Sequence, residues 1–274
     1  MKTAQASKRH PWLSIHSFLL MAFIYIPVLL IIVFSFNDSR MSTSWSGFTW
    51  KWYSTLFDNR TVMEALSNSL TIAFTSTIIS TVLGTMAALA IRKMQNRGKQ
   101  GVIGLLYMPI VVPDIIMGLS LLILFSQLKM DLGKMTVIIA HITFSISYVY
   151  VIVSSRLANM GKQLEEAAND LGASSWQTFR FVTLPSIWPG VIAGALIAFT
   201  LSIDDFMISF FVSGPNSTTL PIYIYGSVKR GISPEINALC TIMIVVSVML
   251  IILAQWLLGR GKSDKEKGGS LLPF

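Results

Sequence analysis

The chain has 274 residues, 53% of them hydrophobic and only 12% charged, with a mean hydropathy of +0.64. Soluble domains carry about 25% charged residues, so this composition, with its apolar residues in long runs, excludes an ordinary soluble fold and marks an integral membrane protein. The net charge of +8 comes from lysines and arginines gathered at the ends of those runs; a membrane explains that pattern and no nucleic-acid partner is expected.

A helix needs about 20 apolar residues to cross a bilayer. Six segments qualify: Phe18–Phe36, Asn68–Ile91, Val102–Leu128, Thr136–Ser154, Pro189–Phe211 and Leu239–Leu258. The first is too long for the hydrophobic region of a signal peptide, and SFNDSR after it offers no small-x-small cleavage site, so it reads as a retained anchor. The loop that follows carries Trp45, Trp50, Trp52 and Tyr53, which suit the headgroup region and fit a helix lying on the outer surface. The second span presents Ser80, Gly84 and Ala88 on one face, a packing pattern. The third contains MPIVVPDIIMG. Pro109 and Pro113 interrupt its backbone hydrogen bonds around Asp114, and broken backbone at such depth either lines a cavity or makes a kink that serves packing. In the fourth span His141 reads as an interfacial or packing residue.

The fifth span holds Asp204 and Asp205 past its midpoint. A carboxylate at the centre of a spanning helix costs about 2.5–3.5 kcal/mol. Such a group either lines a polar path or bonds a neighbouring helix; a translocation path is the expectation here, with Asp114 as a further candidate. Gly190, Gly194, Ala198 and Ser202 recur every four residues, a small face for close helix packing. At about 100° per residue, Asp205 continues that face and Asp204 points to one side. The segment from Pro221 to Asn237 reads as a short surface or re-entrant helix. Cys240, the single cysteine, is expected to be a small packing residue.

Lysines and arginines set orientation. With the N-terminus inside, fourteen fall on the cytoplasmic side and seven outside, so both termini are expected in the cytoplasm. The chain then divides into a cytoplasmic segment 1–17, a permease-like domain 18–258 and a cytoplasmic tail 259–274.

The hairpin between spans four and five, within 161–188, is cytoplasmic on this count. Lys162–Leu171 is rich in helix formers. Gly172 suits the left-handed position that ends a helix. Ser174 stands three residues before Gln177, the spacing of a capping box. A second helix is expected over Trp176–Thr183, with Pro185 and Pro189 marking its exit and the entry to span five. The tether between two spans argues against a DNA-binding helix-turn-helix; an amphipathic hairpin resting on the bilayer is the structural alternative.

Glu166, Ala167, Ala168, Gly172, Val182, Leu184 and Pro185 resemble the EAA loop of bacterial ABC importer permeases: EAA, three residues, Gly, nine residues, Ile, one residue, Leu-Pro. Val182 is the one conservative departure. IYIPVLLIIVFSFNDSR, PDIIMGLSLL, AFTLSIDDFMISFFVSGP and GSVKRGISPEINAL extend the resemblance over nearly the whole chain, to the permeases of spermidine/putrescine importers. That resemblance implies an all-α fold of the type I importer (MetI-like) class. It implies a location in the bacterial cell membrane and a coupling helix that docks on an ATP-hydrolysing subunit. The implied partners are a second homologous permease, an ATPase dimer and an extracytoplasmic substrate-binding protein; the implied cargo is a polyamine. On it, Glu166, Ala167, Ala168, Gly172, Leu184 and Pro185 are the ATPase-coupling residues.

The chain is not itself the ATPase. Gly261-Lys262-Ser263 is its one Walker-like fragment; Trp256 stands where the first glycine belongs, and the fragment sits in a charged tail. No catalytic residue, cofactor or metal site is expected. Three other readings are open to these residues. One is a permease for another cationic or metal-complex cargo. The second is a secondary cation transporter using Asp204 and Asp205, although no internal repeat is visible. The third is an intramembrane aspartyl protease using Asp114 and Asp205, which lacks the motif contexts and leaves the EAA loop unexplained.

Overall fold

The computed structural model describes residues 11–39, 44–95, 97–231 and 233–268. The basic residues Lys2, Lys8, Arg9 and Arg40, used in assigning orientation, lie outside the described residues, as do residues 1–10 of the N-terminal segment and 269–274 of the tail. Helices, in chain order, are α1 (Pro11–Phe34), α2 (Lys51–Asp58), α3 (Arg60–Lys93), α4 (Lys99–Val111), α5 (Asp114–Gln127), α6 (Lys134–Asn159), α7 (Gln163–Asp170), α8 (Ser175–Thr178), α9 (Leu184–Asp204), α10 (Met207–Val212), α11 (Leu220–Arg230) and α12 (Pro234–Gly268). Among the described residues five helices are long and apolar enough to cross a membrane, and α4 with α5 make a sixth candidate as a broken pair. The architecture is all-α, with one isolated bridge between Asn37 and Phe48.

The chain divides into two units. One takes the described residues up to Asn59 together with Gly226–Ile244. Here the loop after α1 folds on itself. Phe36 stacks on Phe48 with centroids 5.3 Å apart and meets Trp50 edge-on at 4.8 Å. Trp52 is buried, its indole Nε1 donating to the Asn37 carbonyl at 2.7 Å. A short helix, α2, does follow this loop, but Trp52 is buried in packing rather than exposed.

The other unit runs from Arg60 to Tyr225 and resumes at Val245. Its centre is α3, α6 and α9. The small residues expected to pack do so: Ser80, Gly84 and Ala88 on α3, and Gly190, Gly194, Ala198 and Ser202 on α9, are all buried. Val149 of α6, fully buried, fills the space they leave. A Cβ at Gly84 would fall 2.8 Å from Val149 Cβ and 2.9 Å from the Ile146 carbonyl oxygen, and one at Gly194 would fall 3.5 Å from Val149 Cα. Helices gain little from hydrophobicity inside lipid, so this close approach is what holds them together.

The third span breaks at Pro113 as the sequence implies, α4 and α5 meeting at a bend of 108°; two other expectations are corrected. Val112 is extended and Pro113 caps α5, because proline disfavours a helical residue before it and donates no hydrogen bond itself. The fifth span does not run unbroken to Phe211. It ends at Asp204, Asp205 and Phe206 are non-helical, and α10 begins at Met207. Nor does the hairpin's second helix exit at Pro185. A π-helical turn over Phe179–Thr183 joins α8 to α9 without interruption. Here the Leu184 amide reaches the Phe179 carbonyl; widening the turn accommodates the donors that Pro185 and Pro189 lack.

Candidate functional site

The hairpin is built as its residues dictate. Gly172 has φ of +83°. Its amide bonds the Asn169 carbonyl at 2.9 Å, and the Ala173 amide reaches the Ala168 carbonyl at 3.0 Å, closing α7. Ser174 accepts from the Gln177 amide at 3.3 Å while Gln177 Oε1 accepts from the Ser174 amide at 2.8 Å; the capping box is formed. Glu166 and Ala167 are exposed, and Ala168 is half-buried. Leu171 is 90% exposed and Trp176 65%. Leu184 and Pro185 fall in the first turn of α9.

What ties this hairpin to the spans is Glu165, one residue before the motif. Its Oε1 lies 3.1 Å from an Arg92 guanidinium nitrogen and accepts from the Thr183 hydroxyl at 2.8 Å. Arg92 also donates to the Gly161 carbonyl at 3.3 Å. One carboxylate thus joins the end of α3, the start of α7 and the π turn. Glu165 was not singled out in the sequence. A second acid beside the motif glutamate, facing the basic end of a span, was the available signal.

The acidic candidates come together. Asp114, Asp204 and Asp205 line one cavity of ≈ 500 Å³, with Tyr148, Phe206 and Pro109 among its walls. They are not equivalent. The carboxylate of Asp205 is 9% exposed. It accepts from the Ser209 amide at 2.7 Å and the Ile208 amide at 3.3 Å, so it caps α10, and His141 Nε2 stands 3.3 Å away. Asp204 also lines the cavity, and among the described residues its carboxylate accepts from the Ser247 hydroxyl at 2.9 and 3.2 Å. Asp114 is exposed in the first turn of α5, where the helix dipole favours a negative charge.

His141 is completely buried, and its role was missed. Nδ1 lies 2.6 Å from Ser202 Oγ, which lies 3.1 Å from Ser76 Oγ; Nε2 lies 2.9 Å from Ser209 Oγ. A carboxylate only accepts, so the neutral tautomer that satisfies Asp205 carries its proton on Nε2 and leaves Nδ1 to accept from Ser202. This network pins the break between α9 and α10 to α6 and α3. Ser202 and Ser209, three before and four after Asp205, were the sequence signal for it. Among the described residues no cluster of histidine, cysteine, aspartate or glutamate could hold a metal ion.

Multiple long apolar helices with closely packed small faces define a multi-pass membrane protein. The chain belongs to the binding-protein-dependent transport system inner membrane component family, which matches residues 80–260. It is a multi-pass inner-membrane protein of that family. It is 44% identical over 249 residues to the spermidine/putrescine transport system permease protein PotC of Escherichia coli K12, covering 91% of this chain and 93% of that protein. It is 41% identical over 264 residues to the putrescine transport system permease protein PotI of the same organism, covering 94% of each. Its fold is similar to a solved bacterial ABC transporter involved in the import of alginate, at a TM-score of 0.66 and 18% identity, covering 91% of this chain and 96% of that one.

Proposed function

We propose that this chain is a permease subunit of an ATP-driven polyamine importer, with its cargo passing the acidic cavity. The observation that carries the reading is that cavity: three carboxylates from two broken spans, flanked by Tyr148 and Phe206. A polyamine is a flexible chain of ammonium groups separated by methylenes. Carboxylates match the charges, and aromatic faces match both the cations and the methylenes. Asp204 and Asp114 present the accessible charges. Asp205, committed to the cap and to His141, fixes the break that holds Asp204 in place and adds to the negative field. The names of the relatives support a polyamine cargo.

ATP is hydrolysed by a separate subunit, and the hairpin transmits the motion. Leu171 and Trp176 give it an exposed apolar surface of the kind partner proteins cover. Glu166 and Ala167 beside them offer a charge and room for close approach. The Glu165–Arg92 pair and the unbroken π-to-α9 connection make a rigid lever from that surface into the fifth span. The proposed assembly holds this chain, a second homologous permease, an ATPase dimer and an extracytoplasmic binding protein, with both termini of this chain in the cytoplasm.

The test is uptake of labelled putrescine and spermidine by cells expressing the other subunits with and without this chain. Uptake should require it and be suppressed by excess unlabelled polyamine. Undiminished uptake in its absence would refute the reading.

A further inference from the structure

At the end of the spans that carries the hairpin lies a second cavity, of ≈ 410 Å³, away from the acidic one. Its polar wall is cationic: Arg92 from the last turn of α3, Lys99 from the first turn of α4, and Lys162 at the start of α7. Its apolar wall includes Ile103 and Leu157. Arg92 is committed to Glu165 and Gly161. No carboxylate lies within ion-pairing distance of Lys99 or Lys162 among the described residues. Gly98, before α4, supplies no capping side chain, so the first amides of that helix add positive potential on the side of Lys99.

We propose that this cavity binds the phosphate headgroup of an anionic phospholipid. Two uncompensated lysines beside an apolar wall, where spans end, ask for a ligand that is anionic at one end and hydrocarbon at the other. Basic pockets between spans at the headgroup level bind acidic lipids for this reason. Free phosphate satisfies the cations but gains nothing from Ile103 and Leu157. Lys162 begins the hairpin and Lys99 begins α4, so a lipid held by both braces the base of the hairpin against the α3–α4 turn. The site is independent of the cargo: its ligand is part of the bilayer.

The experiment uses the complete purified transporter, exchanged into phosphatidylcholine nanodiscs and titrated with phosphatidylglycerol, with bound lipid read by native mass spectrometry. The wild type should retain phosphatidylglycerol. Lys99→Gln with Lys162→Gln should weaken retention roughly thirtyfold, about fivefold per cation. Lys99→Arg with Lys162→Arg should restore it, which separates lost charge from lost folding. Unchanged retention in the glutamine pair would overturn the proposal. So would equal displacement by inorganic phosphate, which would make it a free-anion site. Retention that appears only when the ATPase subunit is stripped away would mark the cavity as a protein-docking surface and overturn it equally.

Discussion

Replacing Asp204 and Asp205 one at a time by asparagine should give two different failures, because neighbouring carboxylates do different work. Asn keeps the shape of Asp and removes the charge. At position 205 the carboxylate accepts two amides that open α10 and faces the buried His141 ring. Hydrogen bonds to a charged partner contribute about 1.5–3 kcal/mol, and loss of a helix cap costs about 1 kcal/mol. Asp205→Asn should therefore lower the thermal stability and abundance of the complex by an amount on the order of 2 kcal/mol, with uptake per assembled complex largely kept. At position 204 the carboxylate lines the cavity, and Ser247, its partner among the described residues, can still donate to asparagine. Asp204→Asn should leave assembly and stability unchanged. A solvent-accessible attraction to one ammonium group is worth about 1 kcal/mol after screening, so the half-saturating polyamine concentration should rise about fivefold. The assay pairs concentration-dependent uptake in cells with thermal unfolding of the purified complex. Instability from Asp204→Asn, with Asp205→Asn altering only apparent affinity, would refute the assignment of roles.

Three other outcomes follow from the same geometry. Gly172→Val should uncouple ATP hydrolysis from uptake without removing the protein from the membrane: its φ of +83° costs a side-chain-bearing residue about 1–2 kcal/mol, while the space around it is open. Normal coupling in that variant would contradict the lever. Gly84→Val should reduce abundance outright, since its Cβ would press Val149 and the Ile146 carbonyl at 2.8–2.9 Å, an overpacking penalty of about 1–3 kcal/mol; wild-type levels would show that α3 and α6 are not held by this contact. Reporter fusions after residue 60 should read external and fusions after Lys99 or Lys162 internal, and the reverse pattern would invert the orientation.

Much of this molecule is written locally. The turn at Gly172, the capping box at Ser174 and Gln177 and the small faces of α3 and α9 depend on residues close in the chain, so spacing alone revealed them. The proline break in the third span was legible for the same reason, though its 108° angle was not, since a bend that large depends on what receives the second half. The fifth span misled because extrapolating a helical wheel through Asp205 assumes an unbroken helix. Asp205 does point inward, but as the cap of α10 rather than as the next position on the packing face. His141 was legible only in part: Ser202 and Ser209 flank Asp205 in the chain, but Ser76 reaches the network from a separate helix. The lever's main tie was overlooked because Glu165 and Arg92 are 73 positions apart, so the acid beside the motif and the basic end of a span could not be paired by spacing.

The central claim is that this chain moves polyamines by coupling to an ATPase. It is tested most directly in proteoliposomes holding the complete complex, with ATP on the hairpin side, the binding protein on the other, and ionophores collapsing every ion gradient. Labelled polyamine should move toward the ATP side, against its own gradient, only while ATP is hydrolysed. Movement that needs no ATP and stops when the ion gradients collapse would identify a secondary cation transporter and contradict the account.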